Sequence, residues 1–418
     1  MNFIDNSTNI ILRYILYLFP IFIILGNAVI NSATILVLLI YFLKCFTEKK
    51  ILFFESYEFK FFLFLYLYLL INAFFSDDIK SSTIRTIPYL KFFIFVLIYK
   101  NFIEKKKIVL KNLGLVWFFV IIILSLDIIY QSILGFNILN FSTIDKARNS
   151  GLFMDELVAG GFLLSFVFII YSLIIEKNNN LYFYIFFIFF LIVILLTGER
   201  SNFIKFIFVL ICVFYFYSKS GLIFKILSLS ILIFLIVFLI GNIGNFKARY
   251  LSSITFSSNQ NLNLIDTYFT SQYGSHTISS FYILKDNLFF GVGNKNFRNV
   301  CKNYSGKVIE FQKKIDKNEG EGRLYASGCS THSHQNYNEF LSEHGLVGTF
   351  ILIFIFYMLI LKNFSFKKKS NLNLVCFFYI LTYFIPILPS GSFFSTLPST
   401  LFWLNYLFYI VNNEKDDR

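Results

Sequence analysis

The sequence predicts an all-α polytopic membrane protein of about twelve transmembrane helices, each needing about 20 apolar residues to cross about 30 Å of hydrocarbon. Three observations lead there. Of 418 residues, 57% are hydrophobic and only 15% charged, where a soluble domain carries about a quarter charged residues. The apolar residues, led by 59 Phe, fall into blocks long enough to span. The basic residues sit in short clusters between those blocks. That clustering argues against a nucleic-acid partner even though the net charge is +13.

In chain order, helices are expected near 10–25, 28–46, 60–75, 84–100, 113–134, 157–175, 181–197, 202–217, 222–243, 346–362, 371–388 and 396–412. Gly26-Asn27 joins the first two as a tight hairpin, and the last is interrupted at its start by Pro386, Pro389, Gly391 and Pro398, since proline breaks helices. No cleavable signal peptide is expected. The first apolar block runs directly into the second and would serve as a signal anchor.

Basic residues set the orientation. Lys44, Lys49, Lys50 and Lys60 lie in one connection; Lys100, Lys105, Lys106, Lys107 and Lys111 in another; Lys219 and Lys225 in a third; Lys362, Lys367, Lys368 and Lys369 in a fourth. All fall on one side if the N-terminus is cytoplasmic. The opposite short loops hold only Lys80 and Arg85, Lys146 and Arg148, and Arg200. Both termini are then inside, and the chain divides into 1–243 with nine helices, an external loop 244–345, and 346–418 with three helices and a cytoplasmic tail.

The external loop is rich in Asn, Ser, Gly and Lys and holds His276, His332 and His334, with His344 at its junction with the tenth helix. It is too long for a simple connector. Cys301 and Cys329 are its two cysteines, and an oxidising exterior favours a disulfide between them. Two free thiols are the alternative. No metal is expected, because a site built from these cysteines and His332 lacks CxxC-type spacing. Cys45, Cys212 and Cys376 lie in or near helices, as inert packing residues do.

Five short segments carry polar chemistry. The strongest is His332-Ser-His334-Gln-Asn336-Tyr-Asn-Glu339-Phe-Leu-Ser-Glu343-His-Gly345, which leads straight into an apolar helix. Asn336, Glu339 and Glu343 recur at helical spacing and share a face. Imidazoles trade protons near neutral pH, and a carboxylate can orient them. Against this stands a plain interfacial helix start with dipole-favoured acids. In Thr197-Gly-Glu199-Arg200-Ser201, an interfacial guanidinium suits a phosphate or diphosphate, or it snorkels to lipid headgroups. Arg148-Asn-Ser-Gly151 offers a second cation, followed by Asp155 and Glu156, which read as dipole caps. In Phe290-Gly291-Val-Gly293-Asn294-Lys295-Asn296-Phe297-Arg298 the GxG is a turn signal with no βαβ context, and Arg298 and His276 add polar groups to the same loop. Asp127, Tyr130 and Gln131 mark a polar patch near the outer end of the fifth helix.

In this order, Asp127-Ile-Ile-Tyr130-Gln131, Arg148-Asn-Ser-Gly151, Thr197-Gly-Glu-Arg200-Ser201, Phe290-Gly-Val-Gly293 with Phe297-Arg298, and His332-Ser-His334-Gln-Asn336 resemble the O-antigen ligase and O-antigen polymerase superfamily. The usual last motif resembles HPHN. Here either one residue is added before Asn336 or Gln335 stands in the asparagine's place. The resemblance implies a cofactor-free, metal-independent, inverting transferase in the bacterial inner membrane with a periplasmic active site. It would move a glycan from undecaprenyl pyrophosphate to an acceptor sugar hydroxyl, on lipid A–core in a ligase or on another lipid-linked repeat unit in a polymerase. His334 is expected as the base, oriented by His332 or Glu343. Arg200, with Arg298 or Arg148, would hold the pyrophosphate, and His276, Asn336 and Glu339 would complete the substrate site. The rivals are a lipid-linked glycan transporter, which would place ionisable groups at the bilayer midplane, and a non-catalytic envelope protein.

Overall fold

The computed structural model describes residues 2–48, 56–144, 147–174, 180–217, 263–316, 325–362, 364 and 370–411. The expected helix at 222–243 lies outside the described residues, as do Lys146 and the start of the long loop.

The first apolar block forms two helices, α1 (Asn2–Tyr17) and α2 (Phe19–Ile24). Pro20 sits in the first turn of α2, where its missing N–H costs nothing. Gly26, with φ of 102°, turns the chain into α3 (Asn27–Glu48). Then come α4 (Tyr57–Phe74), α5 (Ile79–Thr86), α6 (Leu90–Glu104) and α7 (Leu110–Leu134). Pro88 forces a 3-10 turn, Ile87–Tyr89, between α5 and α6, so the expected fourth helix is bent where proline removes a backbone donor. After an ordered loop come α8 (Ala159–Ile174), α9 (Asn180–Leu196) and α10 (Arg200–Tyr217).

The described part of the long polar segment is itself helical: α11 (Leu264–Thr270), α12 (Gln272–Asp286), α13 (Phe297–Val300) and α14 (Ser305–Ile315). Its small core is Ile283, Val292, Phe297, Cys301 and Tyr304, separate from the main core. Cys301 and Cys329 are joined as a disulfide, Cα atoms 5.1 Å apart and 28 residues apart in sequence. Closing a loop of that length stabilises by about 3.5 kcal/mol in the chain-entropy treatment. The chain ends with α15 (Asn336–Phe356), α16 (Asn371–Leu381) and α17 (Thr396–Ile410).

Five helices among the described residues are long and apolar enough to cross a membrane: Asn27–Phe46, Tyr57–Phe74, Ile79–Glu104, Leu110–Leu134 and Asn336–Leu361. Shorter apolar helices run over Ala159–Ile174, Tyr182–Leu196 and Asn371–Phe384. These are the helices of a multi-pass membrane protein. Their outer faces agree. Leu39, Leu43 and Phe46 on α3, Phe119 and Ile123 on α7, and Phe350 on α15 are all exposed, a charge-free apolar surface that suits lipid and not water. By contrast α8 is buried almost all round and forms the centre of the bundle. Buried amides tie the core together: Asn405 Nδ2 donates to Ser165 Oγ at 3.0 Å. Asn373 Nδ2 donates to the carbonyls of Phe408, Tyr409 and Val411 at 2.8, 2.9 and 3.0 Å, satisfying groups the end of α17 leaves without helical partners.

One departure from regular helix positions the site. The expected tenth helix begins ten residues early, at Asn336, and breaks at Gly345 (φ 65°, ψ −169°). The chain around Gly291-Val-Gly293 threads into the break. Val292 N and Gly293 N donate to the carbonyls of Ser342 and Glu343 at 3.1 and 2.9 Å, while Leu346 N and Val347 N donate to Leu288 O and Phe289 O at 2.8 and 3.1 Å. The backbone groups freed by the break thus find partners in protein, the condition for irregular backbone in an apolar setting. From the other side, Asn72 Oδ1 accepts from Asn294 N at 2.8 Å and Asn72 Nδ2 donates to Phe290 O at 3.2 Å. Ser82 Oγ donates to Asn294 O at 2.8 Å.

Candidate active site

The histidine loop is held at both ends. At its start the disulfide fixes Cys329, and Gly328 (φ 68°) packs where a Cβ would lie 2.5 Å from Ser275 O on α12. At its end Gln335 Oε1 accepts from Asn338 N at 2.8 Å and caps α15, the role short polar side chains take at helix starts. Asn336 is the first helical residue. Asn336 docks onto the α16–α17 connection: its Nδ2 donates to Tyr383 O and its Oδ1 accepts from Ser390 Oγ, both at 2.8 Å. His334 has a left-handed backbone (φ 55°), and its carbonyl accepts from Ser390 N at 2.8 Å.

These constraints gather three imidazoles. The rings of His332 and His334 lie 4.0 Å apart, and those of His276 and His334 5.0 Å apart. His276 comes from α12, which is tied to α15 by Asn338 Nδ2 donating to Thr277 Oγ1 at 2.8 Å. Tyr273, one helical turn before, faces His334 at 6.1 Å. Among the described residues, the nitrogens of the buried His276 ring and His332 Nε2 make no hydrogen bond of good geometry, although the Gly328 and Ser390 backbones lie near enough to act on His276 and His332; His332 Nδ1 lies 3.0 Å from Thr331 Oγ1. Buried polar atoms without partners are uncommon and mark places where a polar ligand would be welcome.

Burial keeps all three imidazoles neutral. It pushes His332 down to about 4, with Lys295 as the next cause and Arg298 and His276 adding to it. It pushes His334 down to about 3, reinforced by His332 and His276. His276 is lowered by burial as well. The His332 and His334 rings are therefore proton acceptors throughout the physiological range, with Lys295 and Arg298 among the groups that lower His332.

Below the imidazoles, the two glutamates of α15 bond to the loops around them. Glu343 Oε2 accepts from Lys295 N at 2.7 Å and Oε1 from Phe297 N at 3.3 Å. Glu339 Oε1 accepts from Ser392 Oγ at 2.6 Å and Oε2 from Phe393 N at 2.9 Å. The Lys295 ammonium, itself buried, lies 3.8 Å from Glu339 Oε1, donates to Ser395 Oγ at 2.8 Å and also bonds Ser392 Oγ. Lys295, like His334, has a left-handed backbone (φ 68°). Such strain costs about 1–3 kcal/mol per residue and persists where the surroundings over-determine it. Of the two partners named from sequence to orient His334, only His332 touches its ring; both oxygens of Glu343 are taken by backbone.

A second pole forms at the α9–α10 turn. Gly198 (φ 68°) packs so that a Cβ would meet Ala147 O at 2.4 Å and Arg148 Cγ at 3.2 Å. Asn149 Nδ2 donates to Leu196 O at 2.6 Å. The Arg148 and Arg200 segments are thereby brought together. Glu199 accepts from Gly160 N at 2.7 Å and from Asn202 Nδ2 at 2.6 Å. Burial raises its carboxyl, while those two bonds and the Arg148 charge pull it down. Asp127 and Gln131 hold the loop that carries Arg148: Asp127 Oδ1 accepts from Ile138 N at 2.9 Å and Gln131 Oε1 from Gly151 N at 2.8 Å.

The two poles are linked through α10. Lys205 Nζ donates to Pro389 O at 3.4 Å, and the next residue, Ser390, is the one that holds His334 and Asn336. Arg298 is exposed and close enough to His332 to act on it electrostatically.

A family model described as O-antigen ligase (Wzy_C) matches residues 185–353. The chain carries an O-antigen ligase family domain. That agrees with the resemblance read from the ordered motifs. The O-antigen ligase domain takes in the α9–α10 turn with Arg200, the Gly291-Val-Gly293 loop with Arg298, and the histidine loop. Asp127 and Arg148 precede it, and the Ser390–Ser395 loop follows it. No curated relative matches the chain.

Lys295, Lys205, Ser390 and Ser392 were not singled out by sequence. Lys205 carried a signal, a lone charge inside an apolar run; the serines carried none. Among the described residues no group of His, Cys, Asp and Glu is arranged to hold a metal ion.

Proposed function

We propose that this protein is a lipid-linked glycan transferase of the O-antigen ligase type. It moves a glycan from undecaprenyl pyrophosphate to a sugar hydroxyl of lipid A–core at the periplasmic face, with inversion. The observation that carries this reading is the cluster of neutral imidazoles beside Lys295 and Arg298, at the mouth of a broken apolar helix and inside the matched domain.

In the proposed reaction, the acceptor hydroxyl lies against His334. Its oxygen attacks the anomeric carbon, the bond to the phosphate oxygen breaks, and the proton passes to the imidazole. Diphosphate departs carrying the negative charge, stabilised by Arg200 with Arg148 or Arg298, through the bidentate fork guanidinium offers. His332 packs against the base, and the buried imidazoles of His276 and His332 suit hydroxyls of the sugars. About twelve crossings with both termini cytoplasmic would put the histidines and these arginines on one periplasmic face.

The base has a testable consequence. A neutral imidazole is the active form, and kcat/KM reports ionisations of the free enzyme. With His334 near 3 and His332 near 4, lowering the pH from 8 to about 5 should leave kcat/KM level, whereas an ordinary imidazole would be about 97% protonated there. Once the anionic donor is bound, its charge favours the imidazolium, so the acid limb of kcat should lie at higher pH than that of kcat/KM. An acid limb of kcat/KM between 6 and 7 would contradict a buried neutral base.

The function itself is tested by the glycans of a deletion strain. Core bearing no polymer while polymer accumulates on the lipid carrier is the expected result. Core bearing a single repeat would make the protein a polymerase instead, and unchanged glycans would end the transferase reading.

A further inference from the structure

Lys205 sits on α10 five residues beyond Arg200, about 7.5 Å along a helix rising 1.5 Å per residue. It is 7% exposed in a helix that is otherwise apolar after Asn202. An ammonium offers three donors and seeks an anion when buried. Among the described residues this one makes a single long hydrogen bond, 3.4 Å to Pro389 O, faces the Tyr383 ring at 5.9 Å, and pairs with no carboxylate. The contrast with Lys295, also buried but satisfied by Glu339, Ser392 and Ser395, is instructive. One buried lysine completes a protein network; the other has charge and donors to spare.

Its neighbourhood says what the charge is for. The peptide that accepts from Lys205 is joined to Ser390, whose N–H holds the His334 carbonyl at 2.8 Å. Along that bonded path the ammonium is at most roughly 9 Å from the His334 backbone. It therefore joins the helix that carries Arg200 to the loop that holds the proposed base, deeper in the apolar run of α10 than Arg200. An uncompensated cation inside an apolar helix is costly and generally serves an ion or a charged substrate.

We propose that Lys205 is a phosphate-binding residue of the donor site, contacting a polyprenyl diphosphate below Arg200. This rests on the lipid-linked transferase reading. A point charge on a flexible stem suits the phosphate nearer the lipid, where the head of the donor meets its chain, while a guanidinium grips the outer one.

The test is binding, separate from catalysis. Wild-type protein in nanodiscs of neutral lipid is titrated with undecaprenyl diphosphate, undecaprenyl monophosphate and phosphatidylglycerol, alongside Lys205→Met and Lys205→Gln. The glutamine keeps a donor for Pro389 O without the charge, so it preserves a purely structural brace. Both variants should bind the diphosphate at least tenfold more weakly, with phosphatidylglycerol binding and melting temperature unchanged. Wild-type affinity in Lys205→Gln would reduce Lys205 to a brace and overturn the proposal. Equal loss of phosphatidylglycerol binding would overturn it too, making Lys205 a bulk-lipid contact. If Lys205→Met does not fold, Lys205→Gln alone decides. Diphosphate binding by a wild type that transfers no glycan would remove the transferase reading and leave Lys205 its ligand. Glycan transfer with unaltered binding in both variants would do the reverse.

Discussion

Replacing His334 with alanine is expected to lower glycan transfer by about 10²- to 10⁴-fold, the contribution of a positioned general base. The side chain makes ring contacts with His332, His276 and Tyr273, and the bonds that hold the loop come from its backbone carbonyl and from Gln335 and Asn336. Loss of the imidazole should therefore leave insertion and fold intact. One correction is needed for the left-handed backbone at this position, which costs alanine about 1–2 kcal/mol. Asparagine tolerates that conformation, so His334→Asn should fold as the wild type does and be as inactive as His334→Ala. Initial rates on a lipid-linked donor, with melting curves for both variants, make the measurement. Transfer near the wild-type rate in His334→Asn would remove His334 from the base's role.

The second large effect is structural. Gly291 has a φ of 66°, and a Cβ there would lie 2.4 Å from Glu343 C and 2.5 Å from His344 N. Across the same contact, a Cβ on Gly345 would lie 2.4 Å from Phe289 C. Neither neighbour is a side chain that can swing aside. Gly291→Ala must push the threaded loop out of the helix break, releasing the carbonyls of Ser342 and Glu343 and disturbing the N–H groups held by Glu343. A left-handed alanine with a backbone clash should cost about 3–5 kcal/mol. Gly306→Ala is the control: nothing lies within 4 Å of that Cβ, it is helical, and the change should be neutral or stabilising by up to about 1 kcal/mol. Unfolding midpoints in detergent compare the two. Equal midpoints would mean that the loop is not clamped in the break.

Much of the fold is legible in the chain. Apolar blocks become helices near their expected places because hydropathy and length are properties of a segment alone. The helices expected at 10–25 and 84–100 run straight through Pro20 and Pro88, yet the structure divides α1 from α2 and α5 from α6 beside them, for a local reason, the missing donor. The GxG reads as a turn, and it is one. Its purpose is not legible, since nothing in Phe290-Gly-Val-Gly293 says that the turn will lie against Gly345. The helical spacing of Asn336, Glu339 and Glu343 already points to a helix before the apolar span at 346, and α15 does start at Asn336; the break at Gly345 had no such signal.

The site divides along the same line. The spacing of His332 and His334 and their position before an apolar helix are matters of sequence. That His276, far upstream, joins them depends on α12 packing against α15, and no local pattern encodes that. The helical repeat of Asn336, Glu339 and Glu343 puts them on one face, yet their tasks differ from those the repeat suggests. A buried carboxylate must find donors, and which donors it finds is settled by the loops the fold lays beside it: Lys295 N and Phe297 N for Glu343, Ser392 Oγ and Phe393 N for Glu339.

By itself, then, the sequence determined an all-helical chain with apolar spans, the order of its polar motifs, and a resemblance to the O-antigen ligase family that the match over residues 185–353 supports. Only the tertiary structure decided the break at Gly345, the gathering of three imidazoles, and the contrast between a satisfied Lys295 and a charge-bearing Lys205. The reason is physical. Hydrophobicity and helix propensity act within a segment, whereas the partner of a buried polar group is chosen by whatever backbone and side chains packing brings within about 3 Å of it.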